Sequence, residues 1–180
     1  MLLIQLTGLS GAGKTTISRE AKRQLTDLGY RVELLDGDEY RQNLCRDLGF
    51  SKADRLENIR RLGFVGQAFA RQGVIAILAA INPYEEGRRA LQDGDACVRT
   101  VFINCPQDTL ELRDVKGLYA RARLPEGHPE RIGHFTGISD PYEAPECPDL
   151  ILQTDRESPA ESAARLVAFI LRELPGSTAV

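Results

Sequence analysis

Residues 8–15 read Gly8-Leu9-Ser10-Gly11-Ala12-Gly13-Lys14-Thr15, an unbroken G-x-x-x-x-G-K-[ST] pattern. Glycines at these positions let the backbone N–H groups turn together toward an anion. A helix that follows presents its positive N-terminal end to the same point. In that arrangement Lys14 reaches the β- and γ-phosphates of a nucleoside triphosphate, and the Thr15 hydroxyl is a ligand for Mg²⁺. An apolar strand pattern precedes the motif and a helical pattern follows it, the context that separates a phosphate-binding loop from a glycine-rich turn. The chain is expected to bind a nucleoside triphosphate.

A second set of chemically capable residues follows. Asp36-Gly37-Asp38 falls at the end of the second expected strand, where open α/β sheets place ligands. Two carboxylates flanking a glycine can serve as metal partner, substrate anchor or general base; the alternative is a solvated turn, which Asp and Gly also favour. Arg41, Arg55, Asn58, Arg60 and Arg61 make the next stretch locally basic. Arg55 and Asn58 are three apart on one expected helix and share a face. They read either as a clamp for an anionic group or as an exposed face paired with Asp54 and Glu57. Arg113, Lys116, Arg121, Arg123 and Arg131 lie in or beside a segment rich in Gly, Pro and His. Cations there can neutralise a transferring phosphoryl group, or simply sit on a solvated loop. His128 and His134 lack a carboxylate motif and receive no catalytic role. Phe50 and Phe135 stand among glycines and polar residues, where stacking on a base and plain packing are equal readings.

The elements that must carry these residues alternate strand and helix, which predicts an α/β domain with a mainly parallel sheet of about five strands. Strands are expected at Leu2–Thr7, Val32–Leu35, Val74–Ala80, Val98–Asn104 and Leu150–Leu152. One helix should run from about Lys14 to Leu28, with Gly29 after its end. Ser51-Lys52-Ala53-Asp54 resembles a capping box opening a helix to about Arg71, and Gly73 should stop it. Leu56, Ile59, Leu62, Gly66 and Phe69 recur at helical spacing and should face the sheet. Asn82-Pro83 reads as a helix cap followed by proline at the first helical position, with Glu85 and Glu86 favouring the dipole. Ser158-Pro159-Ala160-Glu161 repeats the capping logic for a closing helix that ends before Pro175-Gly176. Lys116 to Pro148 has weak periodicity, and a stretch of that length in a compact domain suggests an active-site lid. One domain over residues 1–180 is expected, with the lid at about 114–140.

Composition narrows the partners. The 180 residues carry 23 Lys+Arg against 26 Asp+Glu, a net charge of −3, which lacks the basic surplus of a nucleic-acid binder. No apolar run approaches the roughly 18–20 residues that cross a bilayer, and Met1–Leu6 is too short for a signal peptide. Small-molecule substrates are therefore expected, with neither nucleic acid nor membrane as partner. Cys45, Cys97, Cys105 and Cys147 are scattered without zinc-like spacing, so reduced, mostly buried thiols in a cytoplasmic protein are expected.

Several stretches taken together resemble the adenylylsulfate kinase (APS kinase) family. They are TGLSGAGKTT at 7–16, LDGD at 35–38, DLGFS at 47–51, DR-x-EN-x-RR at 54–61, DVKGLY at 114–119, FTGI at 135–138 and PYE-x-P at 141–145. The resemblance implies a P-loop kinase fold, Mg²⁺ with ATP, and transfer of the γ-phosphoryl to the 3′-hydroxyl of adenosine 5′-phosphosulfate (APS), giving its 3′-phosphorylated product (PAPS) and ADP. It also implies a homodimer, and leaves open a functional association with ATP sulfurylase. With the P-loop beginning at Gly8, the N-terminal extension of some relatives is not expected.

Carried over position by position, the resemblance assigns ATP to Gly8, Ser10, Gly11, Ala12, Gly13, Lys14, Thr15 and Thr16, with Arg113 near the nucleotide. Asp36 becomes the base or metal-organising carboxylate and Asp38 an APS contact. Arg41, Arg55 and Asn58 hold the phosphosulfate side, Phe50 and Phe135 sandwich the adenine, and Lys116 serves substrate and transition state. Ile81, Asn82 and Leu118 fall on the APS side. Two departures stand out. The family commonly has Ile-Ser-Pro-Tyr where this chain has Ile81-Asn82-Pro83-Tyr84, and that serine has been labelled a phosphoserine intermediate. An amide cannot take that role, which favours direct in-line transfer with Asn82 capping a helix. The link from Arg123 to Phe135 also looks longer than usual.

Other readings are a gluconate or nucleoside monophosphate kinase, which has no need of DVKGLY, FTGI and DR-x-EN together. A GTPase switch would need N-K-x-D, which the sequence lacks. A silent sensor would be expected to lose Lys14, Asp36 or Lys116, all present.

Overall fold

The computed structural model describes residues 1–93 and 97–174. Five strands, β1 (Leu3–Thr7), β2 (Val32–Asp36), β3 (Ile75–Ala79), β4 (Val98–Asn104) and β5 (Leu150–Gln153), form one parallel sheet in the order β2-β3-β1-β4-β5. Each expected strand is found, Val98–Asn104 with the bounds expected and the others with one or both ends moved by one residue.

Alternation along β1 and β3 decides which helices cover which face. Leu2, Ile4, Leu6, Ile75 and Ile77 join the core under α1 (Lys14–Asp27) and α7 (Pro159–Glu173), where Ile17, Ala21, Leu25, Leu166 and Ile170 meet them. Leu3, Ala76 and Leu78 point the other way, against Ile59 and Leu62 of α3 (Lys52–Arg71) and Leu91 of α4 (Glu85–Asp93). Both cores are needed because a parallel sheet is buried on both faces.

The capping signals hold. Ser51 Oγ accepts from the Asp54 N–H while the Asp54 carboxylate accepts from the Ser51 N–H, and Ser158 with Glu161 repeats the pattern. Gly29 and Gly73, at φ +87° and +77°, follow the ends of α1 and α3. Of the residues expected to face the sheet from α3, Ile59, Leu62 and Gly66 are buried, whereas Leu56 and Phe69 are half-buried. The expected stop of α7 at Pro175-Gly176 lies outside the described residues.

Three expectations need correction. Asn82 does not cap α4: that helix starts at Glu85, whose N–H is taken by the Glu143 carboxylate at 2.7 Å. The solvated-turn alternative for Asp36-Gly37-Asp38 does not hold, because a helix begins there. Asp36 is the N-cap of α2 (Gly37–Asn43), with its side chain accepting from the Asp38 N–H. The weakly periodic region and its approach also hold short helices, α5 (Gln107–Arg113) and α6 (Leu118–Ala122). Among the cysteines, Cys45 and Cys105 are buried while Cys97 and Cys147 are exposed, and none is in a disulfide.

Close packing fixes α3, the helix that carries Arg55 and Asn58. A Cβ on Gly63 would collide with Leu91 Cδ2, and one on Gly66 would come within 2.8 Å of Leu3 Cδ1. Gly63→Val should therefore cost about 1–2 kcal/mol net, overpacking outweighing the recovered helix propensity. The check is a lower urea midpoint at unchanged slope.

Candidate active site

The P-loop runs from the end of β1 into α1, and its shape follows from its glycines. A Cβ on Gly8 would collide with the Ile103 carbonyl oxygen, so the turn can lie against β4 only because that position has no side chain. Two side chains outside the motif pin the loop. The Tyr119 hydroxyl donates to the Ser10 carbonyl at 3.0 Å, and Thr154 Oγ1 donates to the Ala12 carbonyl at 3.0 Å. Burial pushes the Tyr119 phenol up to about 12, so it remains a donor at neutral pH.

Lys14 Nζ donates to the carbonyls of Gly8 and Leu9 at 2.8 and 2.7 Å, folded across the loop that would surround a phosphate. Desolvation lowers its ammonium from the usual lysine value to about 8; Asp38 and Asp36 pull it back up, and Lys116 pushes it further down. Thr15 Oγ1 donates to Asp36 Oδ2 at 2.9 Å, and the other Asp36 oxygen holds the Asp38 N–H at 3.0 Å. Asp38 in turn pairs with Lys116 at 2.9 Å, both largely exposed.

Facing this anion-binding wall across a cleft of about 260 Å³ are Arg41, Phe50, Arg55 and Asn58, with Ile81 and Asn82 at the floor. Arg41 lies 4.3 Å over the Phe50 ring centroid and Arg55 5.5 Å. Burial and the neighbouring Arg55 charge hold the Arg41 guanidinium below its usual range. Asn58 Oδ1 is buried beside the cleft with no partner among the described residues, an acceptor that a ligand donor would satisfy. Arg55 is not part of an exposed ion-paired face: it is buried and bonds Asp140, while the exposed ion pairing with Glu57 belongs to Arg60 and Arg61.

Of the residues singled out from the sequence, Ser10, Gly11, Gly13, Lys14, Thr15, Thr16, Asp36, Asp38 and Lys116 line this cleft with the opposite-wall residues. Gly8 and Ala12 are buried beneath the loop. Arg113 and Leu118 lie instead in a small depression beside Ser10 and Gly11, and Arg113 donates to the Thr154 carbonyl at 3.1 Å. Phe135 does not line the cleft: it is only 7% exposed and packs edge-on to Tyr119 with centroids 4.9 Å apart. Of the basic residues in the expected lid, Lys116 lines the cleft while Arg121, Arg123 and Arg131 do not: Arg121 bonds the Glu130 carbonyl, Arg123 pairs with Glu111, and Arg131 is exposed.

Beneath the floor lies a polar network that no motif announced. Asn82, at φ +42° and 2% exposed, donates from Nδ2 to Gln5 Oε1 at 3.0 Å. Gln5 donates onward to the Thr100 hydroxyl and the Arg88 carbonyl. Arg88, 1% exposed, donates to the carbonyls of Asn82 and Glu143 and pairs with Glu85. Thr7 Oγ1 donates to the Ile81 carbonyl and lies 2.9 Å from the Tyr142 hydroxyl. A polar residue alternating into an apolar strand, as Gln5 and Thr7 do, was the available signal.

Residues 1–153 match the sequence model of the family described as adenylylsulphate kinase. The chain belongs to that family. It is 48% identical to the adenylyl-sulfate kinase of Halothermothrix orenii over 167 residues, covering 93% of this chain and 88% of that one. A probable adenylyl-sulfate kinase of Synechocystis is 50% identical over 163 residues, 91% and 89% of the two chains. In three dimensions the chain is similar to the Mycobacterium tuberculosis APS kinase solved with AMPPNP and APS. The TM-score is 0.87 at 39% identity, over 94% of this chain and 96% of that one. Membership makes the protein a kinase of the P-loop fold, as its motifs implied. No helix among the described residues is long and apolar enough to cross a membrane.

The lowered Lys14 value gives a pH prediction. A lysine with a depressed pKa is charged below that value and neutral above it, so kcat/KM for Mg·ATP should fall about tenfold per pH unit above about 8. The limb in kcat should lie higher, because a bound triphosphate stabilises the cation. A kcat/KM profile flat to about pH 9.5 would show that the free enzyme's ammonium is not lowered.

Proposed function

We propose that the protein transfers the γ-phosphoryl group of ATP to the 3′-hydroxyl of APS, giving PAPS and ADP, in one direct in-line step of sulfate activation. The observation that carries this reading is the two-walled cleft. The P-loop with Lys14, Thr15 and Asp36 forms one wall, and Arg41, Phe50, Arg55 and Asn58 form the other. A reaction with little covalent chemistry for the protein needs positioning and charge neutralisation, and the two walls supply both.

In this reading the P-loop amides and Lys14 hold the triphosphate, and Arg113 lies by the nucleotide from its position beside Ser10 and Gly11. Arg41, Arg55 and Asn58 hold the phosphosulfate side of APS, and Phe50 takes one face of its adenine. Phe135 would reach the other face only by leaving its packing on Tyr119, so its contribution here is to shape the turn that follows it. Asp36 is the base for the attacking hydroxyl or the carboxylate that organises the metal, and Lys116 exchanges Asp38 for the transferring phosphoryl oxygens. Residues 114–140 act as the lid, Lys116 being the contact that closes it. The active assembly is a homodimer, working alone or in functional association with ATP sulfurylase.

Mg²⁺ fits the donor set. The Thr15 hydroxyl and the Asp36 carboxylate are hard oxygens 2.9 Å apart at the P-loop. Among the described residues no group of three or more His, Cys, Asp or Glu could hold an ion by itself. That suits a cation bound through one or two protein oxygens and the phosphates of its nucleotide. When bound, it neutralises charge on the β- and γ-phosphates.

Asn82 supports the direct step. The residue standing where relatives have serine carries an amide, which has no hydroxyl to accept a phosphoryl group, and its Nδ2 is already bonded to Gln5.

The decisive assay is ADP release from Mg·ATP with micromolar APS, beside gluconate, shikimate and AMP. APS-dependent release with matching PAPS is the expected result. Turnover on another acceptor would keep the kinase and discard this substrate.

A further inference from the structure

Arg55 is held at three of its five N–H groups by the protein itself. Nε donates to the Phe50 carbonyl at 3.0 Å, and Nη2 donates to the His134 carbonyl at 3.1 Å and to Asp140 Oδ2 at 3.0 Å. Nη1 has no partner among the described residues, and the side chain lines the cleft. One guanidinium edge is therefore fixed to the frame while the remaining nitrogen offers two donors to a ligand.

What fixes that edge is a closed turn. The Phe135 carbonyl accepts from the N–H groups of Ile138, Ser139 and Asp140, and Ser139 Oγ accepts from the Phe135 N–H at 2.8 Å. The Gly137 N–H donates to the Asp140 carbonyl, closing the turn from its other end. Phe135 anchors it by packing on Tyr119, the residue whose hydroxyl holds the P-loop at Ser10. A continuous set of contacts thus runs from the phosphate loop through Tyr119, Phe135 and the turn to Asp140, and ends on Arg55. Asp140 is largely buried, at 17% side-chain exposure against 10% for Arg55, so the pair is shielded from the solvent that makes surface ion pairs weak.

We propose that Asp140 is the positioning residue for Arg55, holding its guanidinium so that Nη1 presents to the anionic group of the acceptor, and thereby sets affinity for APS. The inference rests on the proposed function and deepens it. Asp140 never touches the substrate; it acts through Arg55. The opposing effect is definite: a carboxylate near an anion site repels the anion. If repulsion outweighed positioning, removing the charge would tighten APS binding.

Asp140→Asn keeps the size and an acceptor oxygen while removing the charge. It should raise KM for APS about tenfold, the scale of weakening one charge-assisted hydrogen bond, with kcat and KM for ATP within about twofold. Arg55→Gln separates positioning from general structure. In that background Asp140→Asn should change KM for APS by less than about twofold, because the residue it acts through is gone. An unchanged or lowered KM for APS in the single variant overturns the proposal. So does an additive effect in the double variant, or an equal loss for ATP and APS. Wild-type protein that does not phosphorylate APS would overturn the functional reading, and the inference with it. Normal wild-type turnover with an indifferent Asp140→Asn variant would overturn the inference alone.

Discussion

The Asp36 carboxylate spans the two halves of the cleft. One oxygen takes the Thr15 hydroxyl at the start of α1, and the other takes the Asp38 N–H at the start of α2. These helices follow β1 and β2, which are separated in the sheet by β3, so the carboxylate bridges over the end of the intervening strand. Its position fixes the distance between the phosphate loop and everything that α2 carries, including Asp38 and Arg41. Lys116 reaches the site by pairing with Asp38, so that contact also depends on the bridge. The buried network of Gln5, Asn82 and Arg88 then sets the height of the floor, since Arg88 holds the Asn82 carbonyl at 2.8 Å. The network is satisfied except at Asn82 Oδ1, which is buried without a partner among the described residues, and a floor tied together by so many buried hydrogen bonds is expensive to rearrange.

The parts of the fold readable in the sequence are those whose signals are local. Ser51 with Asp54 and Ser158 with Glu161 announce helix starts because each pair closes within three residues. Val74–Ala80 announces a central strand because both its faces are covered. The P-loop is readable because its glycines, lysine and threonine lie within eight consecutive residues. The short helices were not readable, for physical reasons. None of the residues of α2 is buried, and α5 buries Leu110 alone, so neither leaves an apolar period to find. Asn82 misled for a related reason: Asn before Pro resembles a cap, yet its partner Gln5 lies 77 positions away and the actual cap on Glu85 comes from Glu143.

The site shows the same division. Spacing put Arg55 and Asn58 on one face of α3, but the partner that holds the Arg55 guanidinium, Asp140, lies 85 residues distant. Phe50 and Phe135 looked alike in the sequence. The structure separates them, because Phe50 is exposed at the cleft under two guanidinium groups while Phe135 is packed on Tyr119. Contacts such as Thr154 to Ala12 and Tyr119 to Ser10 carry no motif, since any hydroxyl at the right place in space would do.

The central claim is that this cleft moves a phosphoryl group directly from donor to acceptor, with Asn82 holding the floor instead of carrying the group. The most direct measurement is the stereochemical course at phosphorus, using ATP made chiral at the γ-phosphorus with oxygen isotopes and sulfur, and reading the configuration of the thiophosphoryl product. A single in-line displacement inverts the configuration, and inversion is the result this account predicts. Net retention would mean two displacements through a covalent enzyme intermediate, and would contradict it.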